Sequence, residues 1–89
     1  MKLKEDFQLR QIGGQSFIIA EGLQSIDFSK LIKLNETAAF LWREAKRQGE
    51  FTVDTLVAAL LQEYDVDKTL ALKDCQRIAD AWQQEGMLE

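Results

Sequence analysis

Cys75, the acidic pair Asp65 and Asp67, and the Gly13-Gly14 pair are the residues whose type and spacing could carry chemistry in this chain. A cysteine attacks as its thiolate, and it needs a nearby imidazolium or other cation to lower its pKa. The sequence contains no histidine. That removes the commonest general base and the commonest metal ligand together. Cys75 is also the only cysteine, which excludes an intrachain disulfide and a cysteine metal cluster. It falls on an apolar helical stripe, so it reads as a buried structural thiol. Asp65 and Asp67 could be drawn as oxygen ligands for calcium, but the loop lacks the glycine and downstream glutamate of an EF-hand. They read as helix caps. A glycine pair after a strand can cradle phosphate when a helix follows; here another strand follows, and the pair reads as a hairpin turn. No catalytic, cofactor or metal site assembles, and the chain is expected not to be an enzyme and to need no cofactor.

What the sequence offers instead is a binding surface, and its organising stretch is Leu31 to Trp42. Leu31 to Leu34 suits a short strand, with Ile32 and Leu34 on one face and Leu31 and Lys33 on the other. Asn35 follows, whose side-chain oxygen can accept from free N–H groups of a first helical turn. Glu36 then places a negative charge where the helix dipole favours one. A strand therefore runs into a helix with almost no loop.

The remaining elements can be placed around that joint. Residues 1–6 are polar and are expected to fray. Phe7 to Ile12 alternates as a half-buried strand, and Ser16 to Glu21 returns after the glycine pair. Phe17, Ile18, Ile19 and Ala20 make this second strand apolar on both faces, as in a central strand or one covered on both sides. Gly22 to Lys30 is a connector without clear periodicity, in which Leu23, Ile26 and Phe28 are expected to pack down. A hairpin plus one late strand leaves two sheet edges, and the third strand is expected to be one. Glu36 to Gln48 keeps helical spacing through Ala38, Leu41, Trp42 and Ala45, and Gly49 is placed to stop it. Thr52 can cap a second helix carrying Val53, Leu56, Val57, Leu60, Leu61 and Tyr64. Asp65 or Asp67 can cap a third, with Leu72, Cys75, Ile78, Ala79 and Trp82 facing inward and an end near Gly86. Met87 and Leu88 return to the core or to a neighbouring chain. The order β-β-β-α-α-α describes one α+β domain over residues 1–89.

Composition narrows the partners. The formal charge of −4 opposes phosphate-backbone binding, so no nucleic-acid partner is expected. No apolar run approaches the ~20 residues of a membrane span, and no membrane partner is expected. The opening Met-Lys-Leu-Lys-Glu-Asp lacks the apolar core of a signal peptide, which makes the cytoplasm the expected location. Exposed sheet edges are usually covered or charged. Lys30 and Lys33 fit that defence, and they fit equally a docking edge for a peptide with acidic residues. Trp42 reads as core. Trp82, late on the third helix, serves either the core or a partner. Lys73, Asp74, Arg77 and Ala81 form either a solvated face or the polar rim of a peptide groove.

Taken together, Leu34-Asn35-Glu36-Thr37-Ala38-Ala39 with Leu41-Trp42, Phe51-Thr52-Val53, Leu60 through Tyr64-Asp65-Val66-Asp67, Asp74, and Glu85-Gly86-Met87-Leu88 resemble the pyrroloquinoline quinone biosynthesis protein D (PqqD) family. The ordered set covers nearly all of the chain from Phe7 onward. These are small precursor-peptide recognition elements found beside enzymes that modify ribosomally made peptides, including those of lasso-peptide maturation. The connector Leu23 to Ser29 is longer than in compact members, and Cys75 stands where the family usually has an apolar residue. The resemblance implies a winged-helix-like domain that binds a precursor's leader peptide as an added strand. The peptide would lie along Lys30, Leu31, Ile32, Lys33 and Leu34, facing Asp74, Arg77, Ile78, Ala81 and Trp82 on the third helix. The implied partners are the leader peptide and a peptide-modifying enzyme, often a radical S-adenosylmethionine protein. An open edge also permits a homodimer by edge pairing.

Two other roles compete with this one. A winged-helix DNA-binding protein would use a basic recognition helix, whereas the third helix carries Asp74, Asp80 and Glu85 among Lys73 and Arg77. A structural subunit of a larger assembly is compatible with composition. An acyl carrier would need a serine in an Asp-Ser-Leu context at a helix start, and Ser16, Ser25 and Ser29 lack it.

Overall fold

The structure, a computed structural model, describes residues 1–21 and 26–89, with the backbone alone at 21 and 26–30. Three strands precede three helices: β1 Phe7–Ile12, β2 Gln15–Glu21, β3 Ile26–Leu34, α1 Glu36–Gln48, α2 Val53–Glu63 and α3 Lys68–Gln84. The sheet is antiparallel throughout in the order β1-β2-β3. This is the expected α+β order, with β3 at an edge. Gly13 and Gly14, with φ of 61° and 80°, make the two-residue turn between β1 and β2. Both positions need the left-handed conformation that glycine adopts without strain.

The expected third strand, Leu31–Leu34, is too short: β3 begins at Ile26. Ile18 faces Ile32 and Ala20 faces Asp27, so two steps along β2 span five along β3. Extra residues of this kind break the alternation that marks a regular strand, and that conceals the strand's first half in the sequence. Leu23 lies outside the described residues, as do the side chains of Ile26, Phe28 and Lys30.

The helices begin and end where their caps dictate. The Asn35 side chain accepts from the Ala38 N–H at 2.8 Å, and Gly49 closes α1 with φ of 76°. Thr52 and Thr55 cap α2 reciprocally, each side-chain oxygen accepting from the other's N–H. Asp67, rather than Asp65, caps α3 by accepting from Thr69 at 3.1 Å.

One core joins the helices to a single face of the sheet. Ile18, Leu41, Trp42, Phe51, Leu56, Leu60, Cys75 and Met87 are its largest fully buried members. Phe7, Leu9, Ile32 and Leu34 pack against it from the strands. Trp82 meets Trp42 edge-to-face at 5.3 Å and Phe51 at 6.0 Å, arrangements that aromatic quadrupoles favour. Of the C-terminal pair, Met87 enters the core and Leu88 packs against it.

Two expectations fail against this packing. Residues 1–6 are not frayed: Leu3 is buried, Lys4 donates to the Met87 carbonyl, and Glu89 donates to the Lys2 carbonyl. A short bridged segment thus carries one apolar side chain across the end of the molecule. Leu72 does not face inward either; it is exposed, and Ala71 is buried in its place. Both lie one turn before Cys75, and the small alanine is the one on the packed side.

Candidate functional site

β3 has one neighbour, β2, so its outer edge is unpaired among the described residues. α3 runs opposite that edge, and between the two lies a cleft of 260 Å³. Its apolar lining comes from Ile32 and Leu34 on the strand, Ala38 on α1, and Ile78, Ala81 and Trp82 on α3, with Met87 at the base. Ile32 and Leu34 reach it because alternate strand residues share a face. Ile78, Ala81 and Trp82 reach it because residues three and four apart share a helix face. Lys33 and Arg77 bring positive charge to the cleft, and Glu85 and Asn35 bring further polar groups.

The site residues expected from the sequence divide accordingly. Ile32, Lys33, Leu34, Arg77, Ile78, Ala81 and Trp82 are brought together. Leu31 is exposed, on the side of the strand away from Ile32. Asp74 does not line the cleft; it lies one helical turn from Arg77, with a 3.8 Å ion pair between two partly exposed side chains. The Lys30 side chain lies outside the described residues. Asn35, Ala38, Glu85 and Met87 also line the cleft and were not anticipated as site residues. Glu85 was accessible to the same helical arithmetic, seven residues beyond Ile78. Asn35 and Ala38 had already been assigned to the cap and the core, which hid their second use.

A larger concavity of 700 Å³ runs along the outer side of α3 past Leu72, Lys73, Gln76 and Asp80. Its described lining comes from one helix, so it offers no facing wall. Arg77 and Ala81 belong to both hollows, which makes the outer side of α3 continuous with the cleft.

Two groups have pKa values moved chiefly by burial. The Cys75 thiol is pushed up to about 11, first by burial and then by the charge of Asp74. At neutral pH it is a thiol, not a nucleophile. Burial lowers the Lys46 pKa, with Glu5 and Glu89 opposing. Its ammonium donates to the Lys4 carbonyl at 3.0 Å and stands 5.6 Å from the Trp42 ring, and it does not line the cleft. Among the described residues, no group of three or more His, Cys, Asp or Glu could hold a metal ion. No helix among them is long and apolar enough to cross a membrane.

Residues 19–88 match the family model described as coenzyme PQQ synthesis protein D (PqqD). The fold is similar to a solved structure described as TbiB1 in complex with the TbiA(beta) leader peptide, with a TM-score of 0.74 at 17% identity over 100% of this chain and 95% of that one. It is similar also to a lasso peptide synthetase B1 complexed with the leader peptide, with a TM-score of 0.71 at 18% identity over 99% of this chain and 95% of the other. No curated protein matches the chain.

Proposed function

The chain belongs to the PqqD family, and on that premise we propose that it is a non-catalytic adaptor. It holds the leader segment of a ribosomally made precursor peptide and presents it to a peptide-modifying enzyme. One recognition domain spans residues 1–89. The observation that carries this reading is the unpaired edge of β3 standing across an apolar cleft from α3. An extended peptide added there would form main-chain hydrogen bonds with β3, while alternate side chains enter the cleft. Ile32, Leu34, Ile78, Ala81 and Trp82 supply the apolar contacts, and Lys33 and Arg77 favour acidic residues alongside. The similar structures that contain leader peptides support the reading as analogy of fold.

The absence of histidine and the high Cys75 pKa support a binding role over a catalytic one. The partner enzyme is expected to be a radical S-adenosylmethionine protein or another maturase that shares its cytoplasmic location.

The test is an isotope-labelled NMR titration with leader peptides encoded beside this chain. Amide shifts should concentrate at residues 30–35 and 77–85. A peptide whose alternate amides are N-methylated should bind at least about tenfold more weakly, because its main-chain donors are gone. Shifts spread elsewhere, or indifference to N-methylation, would remove strand addition as the mode. No binding by any neighbouring peptide would leave a structural subunit as the better account.

A further inference from the structure

Resting on that adaptor reading, we propose that the break in β3 fixes the frame and the length of the peptide strand that adds to it. β3 is nine residues long, and its outer edge is unpaired among the described residues. A regular edge of that length would run about 30 Å and would accept a peptide in several frames. β3 is not regular. Residues 32–34 pair in step with residues 16–18 of β2, and Ile26 and Asp27 pair in step with Glu21 and Ala20. Between these two ladders β3 has residues 28–31 where β2 has Ile19 alone. Five steps along β3 therefore match two along β2, and an odd count against an even one shifts the alternation of β3 out of phase across the break. An added strand keeps one phase throughout, so it can match one ladder of β3 but not both. Extra residues also bend and twist the strand that carries them, which takes the two ladders out of line.

The cleft selects the ladder. On the strand side it is lined by Ile32, Lys33, Leu34 and Asn35, all beyond the break, whereas Leu31 at the break is exposed and does not line it. Alternate residues of an edge strand aim their N–H and C=O outward, so residues 32–34 offer two such residues at most. So short a ladder sets the direction of a peptide, and the side chains entering the cleft must set its frame. The occupant that fits is an extended segment of about five residues with two apolar side chains at i and i+2. These would descend between Ile32 and Leu34 on one wall and Ile78, Ala81 and Trp82 on the other. A slip of one residue would turn the pair to the opposite face. A leader held in one frame keeps its residues for modification at one distance from the adaptor, which is what presentation to an enzyme requires. The same break denies a second copy a straight edge of nine residues, in the way that bulges protect sheet edges.

A scan of leader peptides encoded beside this chain, each carrying a single N-methyl group, tests this on the wild-type protein. Losses of at least about tenfold should fall on alternate amides within a window of about five residues, with none outside it. Moving the apolar pair two positions along the peptide should carry that window with it. Hydrogen exchange in the complex should slow among residues 32–35 and stay unchanged at 26–29. Losses beyond the window, or slowed exchange at 26–29, would mean that the peptide pairs through the break; the proposal would fall while strand addition itself stood. Slowed exchange at 26–29 on concentrating the free chain would overturn it in favour of a second copy paired along the edge. Absence of binding by every such leader peptide would instead fall on the adaptor reading.

Discussion

Trp82 stands between two regions that handle apolar surface differently. Toward α1 and α2 its ring meets Trp42 and Phe51, and the segment carrying Leu3 crosses to pair with Leu88. Leu3, Trp42, Phe51 and Trp82 are all buried there. Toward β3 the same ring, with Ile78 and Met87, lines an open cleft. One helix thus has a closed flank and an open one. The closed flank supplies stability, and the open flank keeps apolar surface available for a ligand. Substitutions that act on stability alone should fall on the first side, and those that act on binding alone on the rim of the second.

The largest expected effect is Trp82→Ala, which touches both flanks. Truncating a buried aromatic costs about 3–5 kcal/mol. That is a large share of the 5–15 kcal/mol typical of a domain's total stability, so chemical denaturation should show a severely lowered midpoint. Leu3→Ala probes the closed flank alone and should cost about 2–4 kcal/mol while leaving peptide affinity unchanged in the folded fraction. A cost under about 0.5 kcal/mol, the range of ordinary surface substitutions, would mean that the first residues do not seal the core.

Ala81→Arg probes the open flank alone. Ala81 is exposed, so the denaturation midpoint should hold, while the long charged side chain fills the cleft. Peptide affinity should fall at least about tenfold, equivalent to 1.4 kcal/mol. Ile78→Arg should do the same more strongly but also cost stability, because Ile78 belongs to the core cluster. The pair separates the cleft's floor from its rim.

How much of this was legible in the sequence depended on where the signal sat. The bounds of α1 were readable because Asn35 and Gly49 are themselves the chemistry that starts and stops a helix. Asn35→Ala should accordingly cost about 1 kcal/mol in the same denaturation assay. The facing of β3 and α3 was implied by the family resemblance and not by periodicity, which placed Ile32 with Leu34 and Ile78 with Trp82 but left Ala81 on a mixed face. The start of β3 was not readable, because its extra residues against β2 break the period that a reader counts. The anchoring of Leu3 was hidden for a different reason: a single apolar residue between two lysines has no period at all. Leu72 misled because hydrophobicity was weighed above fit. Residues 71 and 72 are four and three positions before Cys75, so both satisfy the helical spacing, and only close packing selects the alanine.

Cys75 gives the smallest effect at neutral pH and the clearest sign away from it. Its folded pKa of about 11 lies above the ordinary thiol value of 9.0. The folded state therefore retains the proton more tightly than the unfolded chain. This contribution is fully present below pH 9 and is lost as pH rises from there through about 11. Lys46 acts in the opposite sense, because burial lowers its pKa below that of the unfolded chain and deprotonation relieves the fold. Wild type and Cys75→Ala should therefore have stability curves of different slope between pH 9 and 11, the variant lacking the thiol's share of the alkaline loss. The same burial should make the wild-type thiol react with a disulfide reagent at pH 8 only as fast as the core opens. Rapid labelling in the native state would mean that the closed flank is not sealed, and the distinction between the two sides of α3 would go with it.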